Sequence, residues 1–168
     1  MMKNMRLAAV GTLVAVLLTA GLAQKAEKHL LSAEELKNIV PAEFFFRGQK
    51  APTQLRNSTG FQTADGKVTF ASLVDTAGYS TAVQQKYQGL LITESKLSIG
   101  GSELAPGEYG CGFAGDKFVV MNVDNEDILN VPYQTDADLK RPMPLKMVEG
   151  GAGYKLYAGR KWISVKPE

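Results

Sequence analysis

One histidine, His29, and one cysteine, Cys111, bound the chemistry open to this chain. Imidazole and thiolate are the usual transition-metal ligands, and one of each in separate segments does not make a site. A serine-type nucleophile needs a histidine to take its proton; His29 lies on an N-terminal stretch with no evident core face, and no nucleophile elbow is present. Cys111 has no partner in the chain, so no intrachain disulfide forms. It alternates with Tyr109 and Phe113 as residues on one strand face do, and it reads as a small buried hydrophobe rather than a reactive thiol. No catalytic residue, metal site or cofactor is implied. Carboxylates meeting from separate strands remain a route to hydrolysis that spacing does not register, and nothing singles out a pair among the 17 acids.

Two motif matches fail on context. Gly110-Cys111-Gly112-Phe113-Ala114-Gly115 fits the dinucleotide pattern G-x-G-x-x-G, but that fingerprint works by opening a helix on a pyrophosphate, and a β-branched strand follows here. The better account is a strand with one bare face, which lets another layer approach. Asp124-Asn125-Glu126-Asp127 lacks the central glycine and distal glutamate of a calcium loop and reads as a solvated acidic turn.

Two clusters suit recognition instead. Phe44-Phe45-Phe46-Arg47-Gly48-Gln49 sets aromatics beside an arginine, either as an ordinary strand over one end of the core or as a partner surface. Asp75 to Tyr87, with Tyr79, Gln84 and Gln85, is rich in hydroxyls and amides that suit a neutral polar ligand such as a sugar or a peptide backbone. The candidate contact residues are Phe45, Arg47, Gln49, Arg56, Asp75, Tyr79, Gln85, Tyr87 and Trp162, the last being the sole tryptophan, flanked by Arg160 and Lys161.

The elements that must position them are mostly strands. Ser32-Ala33-Glu34-Glu35 is a capping box that opens a helix over 33–40, and Pro41 ends it. Runs rich in β-branched and aromatic residues predict strands at 53–57, 68–75, 87–93, 96–99, 108–113, 117–123, 145–148, 154–157 and 161–165. Glycines between them predict hairpins around Gly115-Asp116 and Gly159, and a two-step passage from Leu91 to Tyr109. Val119, Val120, Met121 and Val123 are apolar on both faces, as in a central strand between two layers. The stretches 75–86 and 131–144 read as polar loops. The fold expected is mainly β, an antiparallel sandwich with a small barrel as the alternative, and one short N-terminal helix.

Residues 1–23 have the three parts of an export signal: Lys3 and Arg6, an apolar run from Leu7, and small residues at Gly21 and Ala23. Cleavage before Gln24 leaves 145 of the 168 residues: an N-terminal segment with the helix over 24–43 and an all-β domain over 44–168. Lys3 and Arg6 leave with the signal, so the 19 basic residues fall to 17 against 17 acidic ones. A neutral chain lacks the bulk excess that nucleic acid or anionic lipid demands. A periplasmic or secreted product is expected, with no membrane insertion once the signal is cut.

The phrase Gly100-Gly101-Ser102-Glu103-Leu104-Ala105-Pro106-Gly107-Glu108-Tyr109 resembles a strand–turn–strand pattern, G-G-x-x-L-x-x-G-x-Y, of exported bacterial β-domains. With Phe45-Phe46-Arg47-Gly48-Gln49, Val74-Asp75-Thr76-Ala77-Gly78-Tyr79 and Lys140-Arg141-Pro142-Met143-Pro144-Leu145, most of the chain after the signal resembles small uncharacterised secreted proteins of Acidobacteria-type bacteria. The resemblance implies export and a compact β-fold, and carries no activity. The function expected is a non-enzymatic binding or interaction domain for a neutral polar ligand or a protein partner. A ligand-enclosing barrel carrier and a carboxylate hydrolase are the alternatives.

Overall fold

The computed structural model describes residues 27–168, so the expected export signal lies outside the described residues. The chain runs β1 (His29–Leu30), α1 (Ala33–Ile39), β2 (Glu43–Phe46), β3 (Gln49–Gln62), β4 (Val68–Val74), α2 (Thr81–Gln84) and β5 (Gly89–Thr93). It continues through β6 (Leu97–Ile99), β7 (Ser102–Leu104), β8 (Gly107–Ala114), β9 (Lys117–Met121), β10 (Asp127–Pro132), β11 (Gln134–Thr135), β12 (Met143–Gly150), β13 (Gly153–Gly159) and β14 (Lys161–Pro167).

The capping box forms as its residue types dictate. The Glu35 amide donates to the Ser32 hydroxyl, and the Glu35 carboxylate accepts from the Ser32 amide at 2.8 Å. His29 Nε2 lies 2.8 Å from the other carboxylate oxygen. The Ser32 hydroxyl, the Ser32 amide and then His29 hold the Glu35 carboxyl down at about 2, against an ordinary 4.5. A depressed carboxyl contributes stability above its ordinary value and loses it as pH falls through the folded one. The Ser32 amide resonance is therefore expected to titrate with a midpoint near pH 2; a midpoint near 4.5 would remove the reciprocal bond from the account.

Strands pair antiparallel into two sheets. The first runs β1-β3-β4-β5-β8-β9-β10, with β2 hairpinned onto the start of β3; the second runs β12-β13-β14-β6-β7, with β11 on β14. Neither closes into a barrel, so the sandwich is the architecture and the barrel alternative falls. All nine predicted strands lie on observed ones, and hairpins form around Gly115 and Gly159. The passage from Leu91 to Tyr109 needs correction. Its middle, β6 and β7, hairpins around Gly100-Gly101 in the second sheet, while β5 pairs directly with β8 in the first. The two stretches expected as loops hold α2 and β11 together with the ends of β10 and β12. The N-terminal segment is built into the fold, since β1 pairs with β3.

Alternation along β8 and β9 splits the apolar residues between two cores. Cys111, Phe113, Phe118 and Val120 face the second sheet with Phe61, Leu97, Met147, Leu156 and Ile163. Val119 and Met121 point the other way, into a core of Phe44, Phe46, Tyr79, Val83, Tyr87 and Leu90. The expectation for β9 holds at Val119, Val120 and Met121, but Val123 lies past the end of the strand and is exposed. Between the sheets, beside Cys111, Leu145 and Leu156, there is room for about 10 Å³. Burial pushes the Cys111 thiol up to about 12, which keeps it protonated and inert.

The bare face of β8 meets its layer. A Cβ on Gly110 would lie 2.4 Å from the Phe46 ring, and one on Gly112 would lie 2.1 Å from the Lys86 carbonyl oxygen.

Candidate functional site

The two recognition clusters converge. Arg47 and Gly48 both have positive φ, 48° and 75°, the two-residue geometry whose twist matches a β-hairpin. Left-handed backbone is costly for arginine, and hydrogen bonds from two groups hold it there. The Arg47 amide donates to the Val123 carbonyl at 2.6 Å, and the Tyr79 hydroxyl lies 2.9 Å and 3.0 Å from the carbonyl oxygens of Phe46 and Gln49. Arg47, Gln49 and Tyr79 thus border one depression of about 280 Å³, with Ser80 and Val83.

The remaining candidates scatter. Phe45 is 58% exposed on β2. Asp75 accepts from the Ala77 amide at 3.0 Å and shapes its own turn. Gln85 caps α2. Tyr87 is fully buried and builds the second core rather than a contact surface, and Tyr79, 6% exposed, belongs to that core while also bordering the depression. Tyr87 stacks on Phe46 at 3.9 Å between ring centroids, and desolvation first, then Tyr79 and Cys111, raises its phenol further above the ordinary value. Trp162 lies half-buried on the outer face of the second sheet. Among the described residues no three of His, Cys, Asp and Glu gather to hold a metal ion.

Arg56 belongs to a larger site that sequence reasoning missed. Between Thr53, opposite Val74, and Ser58, opposite Ser72, β3 holds four residues where β4 holds one. The excess bulges outward and carries Leu55 and Arg56 out of the ladder. Both α1 and β12 pack on β3, and β12 is tied there by the Met147 amide, which donates to the Thr59 hydroxyl at 2.8 Å. A groove of about 540 Å³ is left, its apolar lining including Leu31, Leu36, Pro144, Leu145 and Met147. Leu30 and Leu55 line it while staying 36% and 42% exposed. Lys37, Arg56 and Lys146 also line it, against one carboxylate, Glu34. Among the described residues none of these three cations has a carboxylate within 4.0 Å. The sequence signal was a leucine out of alternation in Gln54-Leu55-Arg56-Asn57.

Fold and site together describe a two-sheet β-sandwich with an apolar, cation-edged surface groove. Comparisons with protein-family models, curated proteins and solved structures find no match for the chain.

Proposed function

We propose that this protein is an exported, non-enzymatic binding domain whose groove takes an aliphatic chain ending in a carboxylate. The observation that carries the reading is the pair of part-exposed leucines, Leu30 and Leu55, in a groove of about 540 Å³ beside Lys37, Arg56 and Lys146. That volume suits a small-molecule site, and binding would remove apolar surface from water at about 25 cal/mol per Å². Cations without carboxylate partners supply the polar end that fixes orientation. Export rests on the basic, apolar and small-residue succession of residues 1–23.

Titration with 11-(dansylamino)undecanoic acid tests it. Saturable, blue-shifted emission is expected, weakened about tenfold or more by Leu55→Asp, which places a charge on the apolar wall at a surface position. Arg56→Gln should weaken the acid several-fold and leave the corresponding primary amide unaffected. No saturation, equal binding by Leu55→Asp, or equal affinity of wild type for acid and amide would overturn the assignment.

A further inference from the structure

Net neutrality conceals a segregation of charge. Residues 140–166 hold seven cations, Lys140, Arg141, Lys146, Lys155, Arg160, Lys161 and Lys166, against one acid, Glu149. They lie along β12, β13 and β14, in the turn at Arg160 and in the loop that leads into β12. Leu145, Met147, Tyr154, Leu156, Ile163 and Val165 point into the inter-sheet core, so the alternate residues Lys146, Lys155 and Lys166 stand on the outer face.

Register aligns these three. Lys155 pairs with Val148, two residues on from Lys146, and with Ser164, two residues before Lys166. Each lysine is thus the diagonal neighbour of the next, about 7–8 Å away across one strand. Among the described residues none has a carboxylate within 4.0 Å, and Lys155 Nζ lies over the Trp162 ring, 4.1 Å from its centroid. The same diagonal next reaches Lys96, which Glu103 at 2.7 Å and Glu168 at 3.4 Å already neutralise. The row has a defined end. A depression of about 280 Å³ lies at its Lys166 end, bordered by Ser98, Gly150, Gly153, Ser164 and Lys166.

We infer that this face binds an acidic polysaccharide, laid along the diagonal from Lys146 to Lys166. Three lysines at successive diagonals, none with a carboxylate partner among the described residues, suit an occupant that carries charge at intervals. The Ser98 and Ser164 hydroxyls and the side-chain-free glycines suit sugar rings and their hydroxyls. Duplex DNA, with a charge every ~1.7 Å, would call for a denser array than a row flanked by Glu103 and Glu168. A lipid surface would call for apolar groups to insert, and none of the large exposed hydrophobics, Leu30, Ile39, Phe45, Leu55, Val123 and Ile128, stands on this face.

Affinity electrophoresis through gels containing polygalacturonate tests the inference. The wild type is expected to be retarded, with retardation falling about tenfold between 20 and 200 mM salt and absent in dextran gels. Lys155→Gln/Lys166→Gln should lose most of it. Lys50→Gln/Lys67→Gln, an equal charge change elsewhere on the molecule, should keep it, as should Leu55→Asp in the groove. Polygalacturonate should also shift the emission of Trp162, the sole tryptophan. No retardation of the wild type, equal retardation of Lys155→Gln/Lys166→Gln, or tighter binding to duplex DNA or phosphatidylglycerol vesicles at equal ionic strength would overturn it. Circular dichroism on each variant ensures that folded protein is compared.

Discussion

Gly112→Ala is expected to destabilise the domain by about 3 kcal/mol or more, at the upper end of overpacking costs. The added Cβ would sit 2.1 Å from the Lys86 carbonyl oxygen, and 3.0 Å from the Gln88 side chain. The first of these is backbone, which has no rotamer to change. Moving it breaks a compact set of bonds: the Gln88 amide donates to the Cys111 carbonyl at 2.9 Å, and its side chain accepts from the Phe113 amide at 3.0 Å and donates to the Phe113 carbonyl at 3.2 Å. Their loss leaves buried polar groups unpaired, which adds to the steric cost. Urea unfolding measures the change. Gly101→Ala serves as the comparison, since nothing lies within 4 Å of its Cβ and only its φ of +90° is strained; about 1 kcal/mol is expected there. Equal midpoints for the two variants would show that the 86–88 segment yields freely.

Phe46→Ala should cost about 4 kcal/mol, within the range for deleting a buried aromatic. The ring is fully buried, stacked on Tyr87 at 3.9 Å and 16° and set edge-on to Tyr79 at 6.2 Å. Its loss opens a cavity between the β2–β3 hairpin and β8. A double-mutant cycle separates shape from mere burial. Gly110→Ala alone drives a methyl to within 2.4 Å of the Phe46 ring, whereas in the Phe46→Ala background that methyl has room. The two substitutions should therefore be less than additive by 1 kcal/mol or more, as contacting residues often are. Additivity would mean that the bare face of β8 and the Phe46 ring are not made for one another.

Most of the fold was legible because it rests on local chemistry. Ser32 and Glu35 mark a helix start by themselves, and Gly115 and Gly159 mark tight turns between runs of strand formers. What was hidden depends on partners distant in the chain. Two-residue strands such as β1 and β11 take their structure from the longer β3 and β14. The start of β10 was masked by an acidic turn, and its end by Pro132, which an edge strand tolerates. The groove was illegible for the same reason: Leu31, Leu55 and Met147 come from three regions of the chain, and the β1–β3 pairing, the β3 bulge and the Met147–Thr59 bond bring them to one place. Arg47 and Gln49 stood in one cluster and Tyr79 in another, and a hydroxyl reaching across 30 residues made them one.

The β6–β7 hairpin lies in the second sheet, while the strands on either side of it in the chain, β5 and β8, lie side by side in the first. To close that pair, the polypeptide must cross the inter-sheet space twice and deliver Leu97, Ile99 and Leu104 into the shared core as it does so. Neither sheet can bury its apolar face while the other is absent. The sandwich is thus cooperative by connectivity as well as by burial: it has no half that could detach and persist, and its folding must wait for non-local closures.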